Sequence, residues 1–324
     1  MRYLYLLRYM AEEREVAEAE LWALAGAEAG GERLVPGDSQ ADIGRAAYVA
    51  LCVELLAHAS SLEALVQEVG RQRLAADQFR IQVLKSTIEG ARPKTPPSSL
   101  EIARRLADAI QGAPNLSQPR TELACFAQAG DWSFGRIVSA SGKGWVAHVA
   151  KPHSYSNSLP SRLARALVNL VAAPGEALLD PCCGVGTVLI EAESVGVTAV
   201  GCDINKQLVS HARANLLHFG LPARVAAADA RHIGGRFDAI VADLPYGWTA
   251  PADRAAYVPI LDNLCRLAPR AVIVAGTDIR SELDAAGWRI RRLARHGSGR
   301  ATRRVHICQA QQPGSPKPGS GASL

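Results

Sequence analysis

Lysine is scarce in this chain. Lys85, Lys94, Lys143, Lys151, Lys206 and Lys317 are the only six in 324 residues, so nearly all the positive charge is arginine. The planar guanidinium suits phosphate and base-edge recognition. GC-rich coding enriches arginine together with alanine and glycine, and accounts for most of the bias. A net charge of +5 therefore suggests an anionic partner without defining one. No Cys-x-x-Cys pair occurs among the seven cysteines, and Cys182-Cys183 is the only adjacent pair. That excludes a disulfide framework and a zinc site, and leaves the cysteines as small buried apolar residues. A long hydrophobic run is also missing. The longest, Ala46 to Ala59, carries Glu54 and His58 and falls short of the ~20 residues of a membrane span. Met1 to Arg8 holds too short an apolar run for a signal peptide. A cytoplasmic protein with no membrane partner is expected.

What is present supports two domains. The length fits two at ~150 residues each, and 48% apolar content supports real cores. Residues 2–9 alternate like a strand, and Glu12 to Ala25 reads as a helix ended by Gly26. Residues 45–69 are helical in pattern. Phe79 to Lys85 alternates like a half-buried strand. After the proline-rich stretch 91–98, Ser99 is a candidate cap for a helix running to Ile110. Leu123–Phe126 and Phe134–Ser139 suggest a hairpin. This first half, 1–145, has no βαβ rhythm and reads as α+β. From about residue 158 the rhythm changes. A helix at 161–171 precedes strands at 177–180, 198–202, 223–227, 237–242 and 271–275, with helical stretches between. That alternation predicts a mostly parallel, doubly wound, Rossmann-like α/β sheet over 158–310. An antiparallel pair at 288–294 and 303–309 closes it, and 311–324 is a disordered tail. With every candidate ligand residue beyond 158, a fragment starting after 145 is expected to keep the ligand site.

Three segments carry the chemistry. Leu178-Leu-Asp-Pro-Cys-Cys-Gly-Val-Gly-Thr187 is an apolar strand breaking into a glycine turn that lets backbone approach a ligand. Thr198-Ala-Val-Gly-Cys-Asp203 ends in a carboxylate 17 residues after Gly186, near the ~20 expected for an acid reaching a ribose. Asp243-Leu-Pro-Tyr-Gly247 ends a third strand with a carboxylate, a rigid turn and an aromatic face. Each alone is an ordinary turn or helix cap; their order within 70 residues lifts the reading. Ligands sit beyond the carboxyl ends of such strands, where Asp180, Asp203, Asp229 and Asp243 converge. A loop with Asp180 and no nearby base disfavours a diphosphate and favours a cationic sulfonium, which points to S-adenosyl-L-methionine. The donor site comprises Asp180, Cys182, Gly184, Gly186, Thr187, Asp203, Ile204, Asp229 and Ala230. Asp203 takes the ribose hydroxyls, and Asp229 takes an adenine amino group or merely caps its strand. Asp243, Pro245 and Tyr246 form the acceptor site. The carboxylate accepts from an exocyclic amine and Tyr246 stacks on the base. Pro181-Cys182 would suit carbon methylation through a cysteine nucleophile, but it lies in the donor loop.

At these residues the chain resembles the class I S-adenosylmethionine-dependent methyltransferases. More narrowly, it resembles the THUMP-containing tRNA guanine-N2 methyltransferases of the guanosine-10 type. Ser158–Leu170, the Asp180–Thr187 loop, Asp243–Gly247 and the closing Arg303–Ile307 carry the likeness. Residues 79–139, with Asn115–Pro119 and a glycine before Arg136, look like a divergent THUMP module. The resemblance implies a monomeric enzyme that binds tRNA. Arg295, Arg300, Arg303 and Arg304 are candidates for phosphate contact, with protection of an edge hairpin as the alternative. Leu244 departs from the proline commoner in the acceptor motif, and Cys183 stands where small or polar residues are frequent. DNA adenine-N6 methylation, ribosomal RNA guanine-N2 methylation and a silent RNA-binding scaffold stay open, as do the tRNA position, the number of methyls and the need for a small activator protein.

Overall fold

The computed structural model describes residues 2–85, 97–128, 130–155, 158–244, 257–299 and 302–311. The chain forms two compact units that do not divide at one point. The first gathers Met1–Leu7, Ala25–Gly44 and Val49–Ser141; the second gathers Arg8–Leu24, Arg45–Tyr48 and Gly142–Leu324. Helix α1 (Arg14–Ala25) therefore belongs, but for its last residue, to the second unit.

The first unit is built on six strands, β1 (Tyr3–Leu7), β2 (Leu34–Gly37), β3 (Val49–Ala59), β4 (Phe79–Lys85), β5 (Thr121–Gln128) and β6 (Asp131–Ala140). Their order is β2-β1-β3-β6-β5-β4, antiparallel except for the β4–β5 pair. Helices α2 (Leu62–Arg71) and α3 (Ser99–Asp108) bury Leu65, Val69, Ile102 and Leu106 against Phe79, Leu123 and Phe134. The helical pattern expected over 45–69 is corrected. Residues 49–59 are a central strand paired on both sides, with β1 and β6, and only Leu62–Arg71 is helical. A strand buried on both faces reads as a continuous apolar run, which periodicity cannot separate from a helix. Ser61, not the apolar run, marks the true helix start, its hydroxyl accepting from the Ala64 amide. The cap of α3 is likewise Ser98, not Ser99. At Gly135 a Cβ would lie 2.1 Å from the Glu54 carbonyl oxygen, so β3 and β6 approach there only because the side chain is absent.

The second unit carries the expected doubly wound sheet, with β7 (Ala177–Asp180), β8 (Thr198–Asp203), β9 (Val225–Ala227), β10 (Ala239–Asp243), β11 (Arg270–Ala275), β12 (Trp288–His296) and β13 (Arg303–Ala310). The order is β12-β13-β11-β10-β7-β8-β9. The run from β9 through β11 is parallel, while β13 is antiparallel to both β11 and β12. The chain winds one way through β8 and β9 and the other way through β10 and β11. The topological switch point, where such sheets open a ligand crevice, therefore lies between β7 and β10. Helices α7 (Tyr257–Leu267) and α8 (Arg280–Ala285) pack against Ile240, Ala242 and Ile273. The alternate residues Val241, Val272 and Val274 are also fully buried, on the side where α4 (Ser161–Val171) meets β10 and β11.

Helix α1 is fastened into this unit by polar groups. Glu20 is fully buried, and its carboxylate accepts from the Ala47 and Tyr48 amides at 2.8 and 2.7 Å and from Asn169 Nδ2 of α4 at 2.7 Å. Glu15 takes the backbone amide and guanidinium of Arg295, and the Arg292 guanidinium lies 4.8 Å from the Trp22 ring centroid. A fragment beginning after residue 145 lacks the partners that Glu15, Glu20, Trp22, Ala47 and Tyr48 supply here.

Candidate active site

The donor loop is shaped by its glycines. Leaving β7, the chain runs through Pro181-Cys-Cys-Gly-Val-Gly186 into α5 (Thr187–Glu193), with φ of +52° at Gly184 and +83° at Gly186. Both lie in the left-handed region where a side chain would be strained. A Cβ on Gly186 would also stand 3.1 Å from Ala212 Cβ of α6 (Lys206–His218). The turn is fixed by Gly186 N donating to the Cys183 carbonyl at 2.7 Å and Cys183 N donating to the Cys202 carbonyl at 2.9 Å. Thr187 Oγ1 is buried at the start of α5 with no hydrogen-bond partner among the described residues. A buried hydroxyl in that state fits a polar ligand group.

Two carboxylates bond to this loop, and a third, Asp229, lies beyond β9. Asp203, at the end of β8, accepts from the Gly184 amide at 2.9 Å through Oδ2 and from the Asn205 amide at 2.9 Å through Oδ1. Asp180 is 2% exposed and accepts from the Cys182 amide at 3.2 Å. Burial pushes its carboxyl well above the usual carboxylate range. The Cys182 amide opposes that shift, and Asp243 and Asp203 reinforce it. Desolvation, then Asp180, also pushes the Cys182 thiol far up, which disfavours the thiolate a nucleophile requires. Asp229, beyond β9, is clasped by Arg231 through Nε at 3.0 and 2.9 Å, which holds its carboxyl down at about 2. Any further acceptor role of Asp229 is shared with that ion pair. Ala230 is buried and its carbonyl accepts from Asn263, while Ile204 is 72% exposed.

The raised Asp180 carboxyl has a pH consequence. An acid whose folded pKa exceeds its unfolded value of about 3.9 contributes stability that is complete below that value and lost as pH rises through the folded one. Asp180→Asn removes the ionisation. It should therefore melt higher than the wild type at pH 8, with a smaller gap at pH 5. A gap that widens on acidification would contradict the direction of the shift.

On the acceptor side, Asp243 closes β10 next to Val274 of β11, and Leu244 is buried with its amide donating to the Val274 carbonyl. Pro245 and Tyr246 lie outside the described residues, as does Arg300. Of the expected phosphate contacts, Arg295 is engaged by Glu15, and Arg304 donates Nη1 to the Gly276 carbonyl. Arg303 is half-buried at the start of β13. Sequence reasoning missed Asn215. This fully buried residue of α6 accepts from His153 N and donates to the carbonyls of His153 and Val185, tying the segment before α4 to the donor loop. The available signal was an amide three residues after Ala212, on the helix face that meets the loop.

The second unit has a Rossmann-like, doubly wound fold. Residues 150–277 match the family model UPF0020, described as RMKL-like, methyltransferase domain. Two curated relatives are each named tRNA (guanine(10)-N2)-dimethyltransferase. The protein from Methanothermobacter thermautotrophicus is 43% identical over 109 residues, covering 31% of this chain and 32% of that one. The protein from Pyrococcus abyssi is 34% identical over 206 residues, covering 59% and 60%. The chain thus spans about a third and three-fifths of the length of these relatives. Among solved structures, TrmN from Thermus thermophilus shares the fold, with a TM-score of 0.50 and 23% identity over 96% of this chain and 100% of that one. The likeness drawn from the motifs, to tRNA guanine-N2 methyltransferases, is the one these relatives bear out. No helix among the described residues is long and apolar enough to cross a membrane.

Proposed function

We propose that this chain transfers a methyl group from S-adenosyl-L-methionine to the exocyclic amino group of a guanosine in tRNA, forming N2-methylguanosine at position 10. The observation that carries the reading is the placement of Asp243 at the carboxyl end of β10, across the switch point from the glycine loop and Asp180. One carboxylate faces an acceptor there while others face the donor. The names of the two curated relatives supply the substrate. The first unit, on its resemblance to a THUMP module, is assigned to docking tRNA.

When bound, S-adenosylmethionine supplies an electrophilic methyl group on a sulfonium. Asp180, Cys182, Gly184, Gly186 and Thr187 line its loop, Asp203 and Ile204 its ribose side, and Asp229 and Ala230 its adenine side. A positive charge there offsets the mutual repulsion of Asp180, Asp203 and Asp243. Each oxygen of Asp203 holds one amide and retains a second lone pair for a hydroxyl. Asp203→Ala should therefore weaken donor binding by about 1–3 kcal/mol; unchanged affinity by calorimetry would displace the ribose from this position. At the acceptor, the amine lone pair is delocalised into the base. Asp243 and a following backbone carbonyl accept its two N–H groups, hold the nitrogen in line and stabilise the positive charge it develops.

Labelled methyl transfer to unmodified tRNA, duplex DNA and ribosomal RNA fragments tests the reading. Incorporation into tRNA alone is expected, and preferential labelling of DNA or ribosomal RNA would replace it.

A further inference from the structure

The carboxyl edge of the second sheet is divided by charge. Asp180, Asp203 and Asp243 end β7, β8 and β10, and Asp229 follows β9. From β11 onward the edge turns basic. The chain leaving β11 passes Asp278 and Arg280, whose guanidinium grips the Asp278 carboxylate through Nε at 3.0 and 2.9 Å and Nη2 at 2.6 Å. Arg304, opposite Ala275 across the β11–β13 pair, donates Nη1 to the Gly276 carbonyl at 3.2 Å, so its guanidinium reaches the exit of β11. Arg304 thus reaches the backbone two residues before Asp278, and Arg280 first and Arg304 after it hold the Asp278 carboxyl far below the usual range. Strands lie about 5 Å apart. Arg304 on β13 therefore starts roughly 10 Å from Asp243 on β10, with only β11 between them.

The distribution of charge along the chain agrees. No Asp or Glu follows Asp284, while seven arginines lie between 289 and 304. The segments of the first unit carry twelve basic residues against thirteen acidic ones, so the net positive charge belongs to the second unit.

We propose that Arg280 and Arg304 clamp a backbone phosphate of the RNA strand whose base is presented to Asp243. The assignment rests on the tRNA reading above. Among the described residues, Arg280 keeps Nη1 outside its ion pair, and its side chain is 67% exposed. Arg304 keeps Nε and Nη2 outside its carbonyl bond. Asp278 orients Arg280 and tempers its charge. Arg295 is excluded from the clamp, because its amide and guanidinium fasten β12 to α1 through Glu15.

The test is the salt dependence of tRNA affinity, measured for the wild type, Arg280→Gln, Arg304→Gln, the double variant, Arg304→Lys, Asp278→Asn and Arg295→Gln. Each lost phosphate contact lowers the slope of log affinity against log salt by roughly 0.7–0.9. Because both guanidiniums serve one phosphate, Arg280→Gln and Arg304→Gln are each expected to lose part of one such step and the double variant about one. Arg304→Lys should keep the wild-type slope, and Asp278→Asn, freeing a guanidinium, should tighten binding at low salt. Arg295→Gln should melt earlier with an unchanged slope. If the wild type methylates tRNA but the folded double variant keeps the full slope, the clamp is overturned while the tRNA reading stands. A slope loss in Arg295→Gln equal to that in Arg304→Gln overturns it too. If the wild type neither binds nor methylates tRNA, the reading itself fails and the clamp falls with it.

Discussion

Asp243→Ala should lose on the order of 10²–10³ in methyl-transfer rate, with donor affinity nearly unchanged. The carboxylate's partner is the acceptor amine, and one preorganised group aimed at developing charge contributes about that much. Asp243→Asn should be milder, since an amide oxygen still accepts a hydrogen bond without supplying a charge. Single-turnover rates at saturating donor and tRNA separate this step from binding. A wild-type rate in Asp243→Ala would move the acceptor site away from the end of β10. A large fall in donor affinity with the rate preserved would place Asp243 in the donor site instead.

Glu20→Ala should destabilise the protein by about 3–5 kcal/mol. Removing the carboxylate leaves the Ala47 and Tyr48 amides and the Asn169 amide group without their buried acceptor. At about 2–4 °C per kcal/mol for a domain of this size, the melting temperature should drop by roughly 6–20 °C. Glu20→Gln keeps one acceptor oxygen and should fall less. Thermal melts following the second unit check this, and a shift of under about 2 °C in Glu20→Ala would mean that α1 is not an integral part of that unit. A truncation at 145 removes the same polar anchoring.

Much of the second unit was legible in the sequence because its signals are local. Apolar strands ending in Asp180, Asp203 and Asp243, with glycine turns and helical stretches between them, state a parallel sheet in the order the chain is written. The closing hairpin was legible for the same reason, as two alternating runs. The long strand Val49–Ala59 was not, since a central strand shares the apolar continuity of a buried helix. Nor was the membership of α1 in the second unit. Glu20 looks like a solvent-facing helix acid until Ala47, Tyr48 and Asn169, distant in sequence, are folded around it. Within the site, the carboxylates were legible by their position at strand ends. Their occupants were less so. Arg231 on Asp229 and Glu15 on Arg295 are pairings that residue type allows but spacing alone does not choose. Asn215 went unseen because its three bonds go to main-chain groups, which leave no trace in residue identities.

The central claim is that the acceptor atom is the N2 of a guanosine. Unmodified tRNA should be incubated with the purified chain and S-adenosylmethionine, digested to nucleosides and analysed by mass spectrometry, with the site mapped in the intact tRNA. N2-methylguanosine, with or without its dimethylated form, at position 10 and absent from an Asp243→Ala reaction, is the predicted result. A methyl group on a ring carbon, a ribose oxygen or an adenine amino group would contradict it.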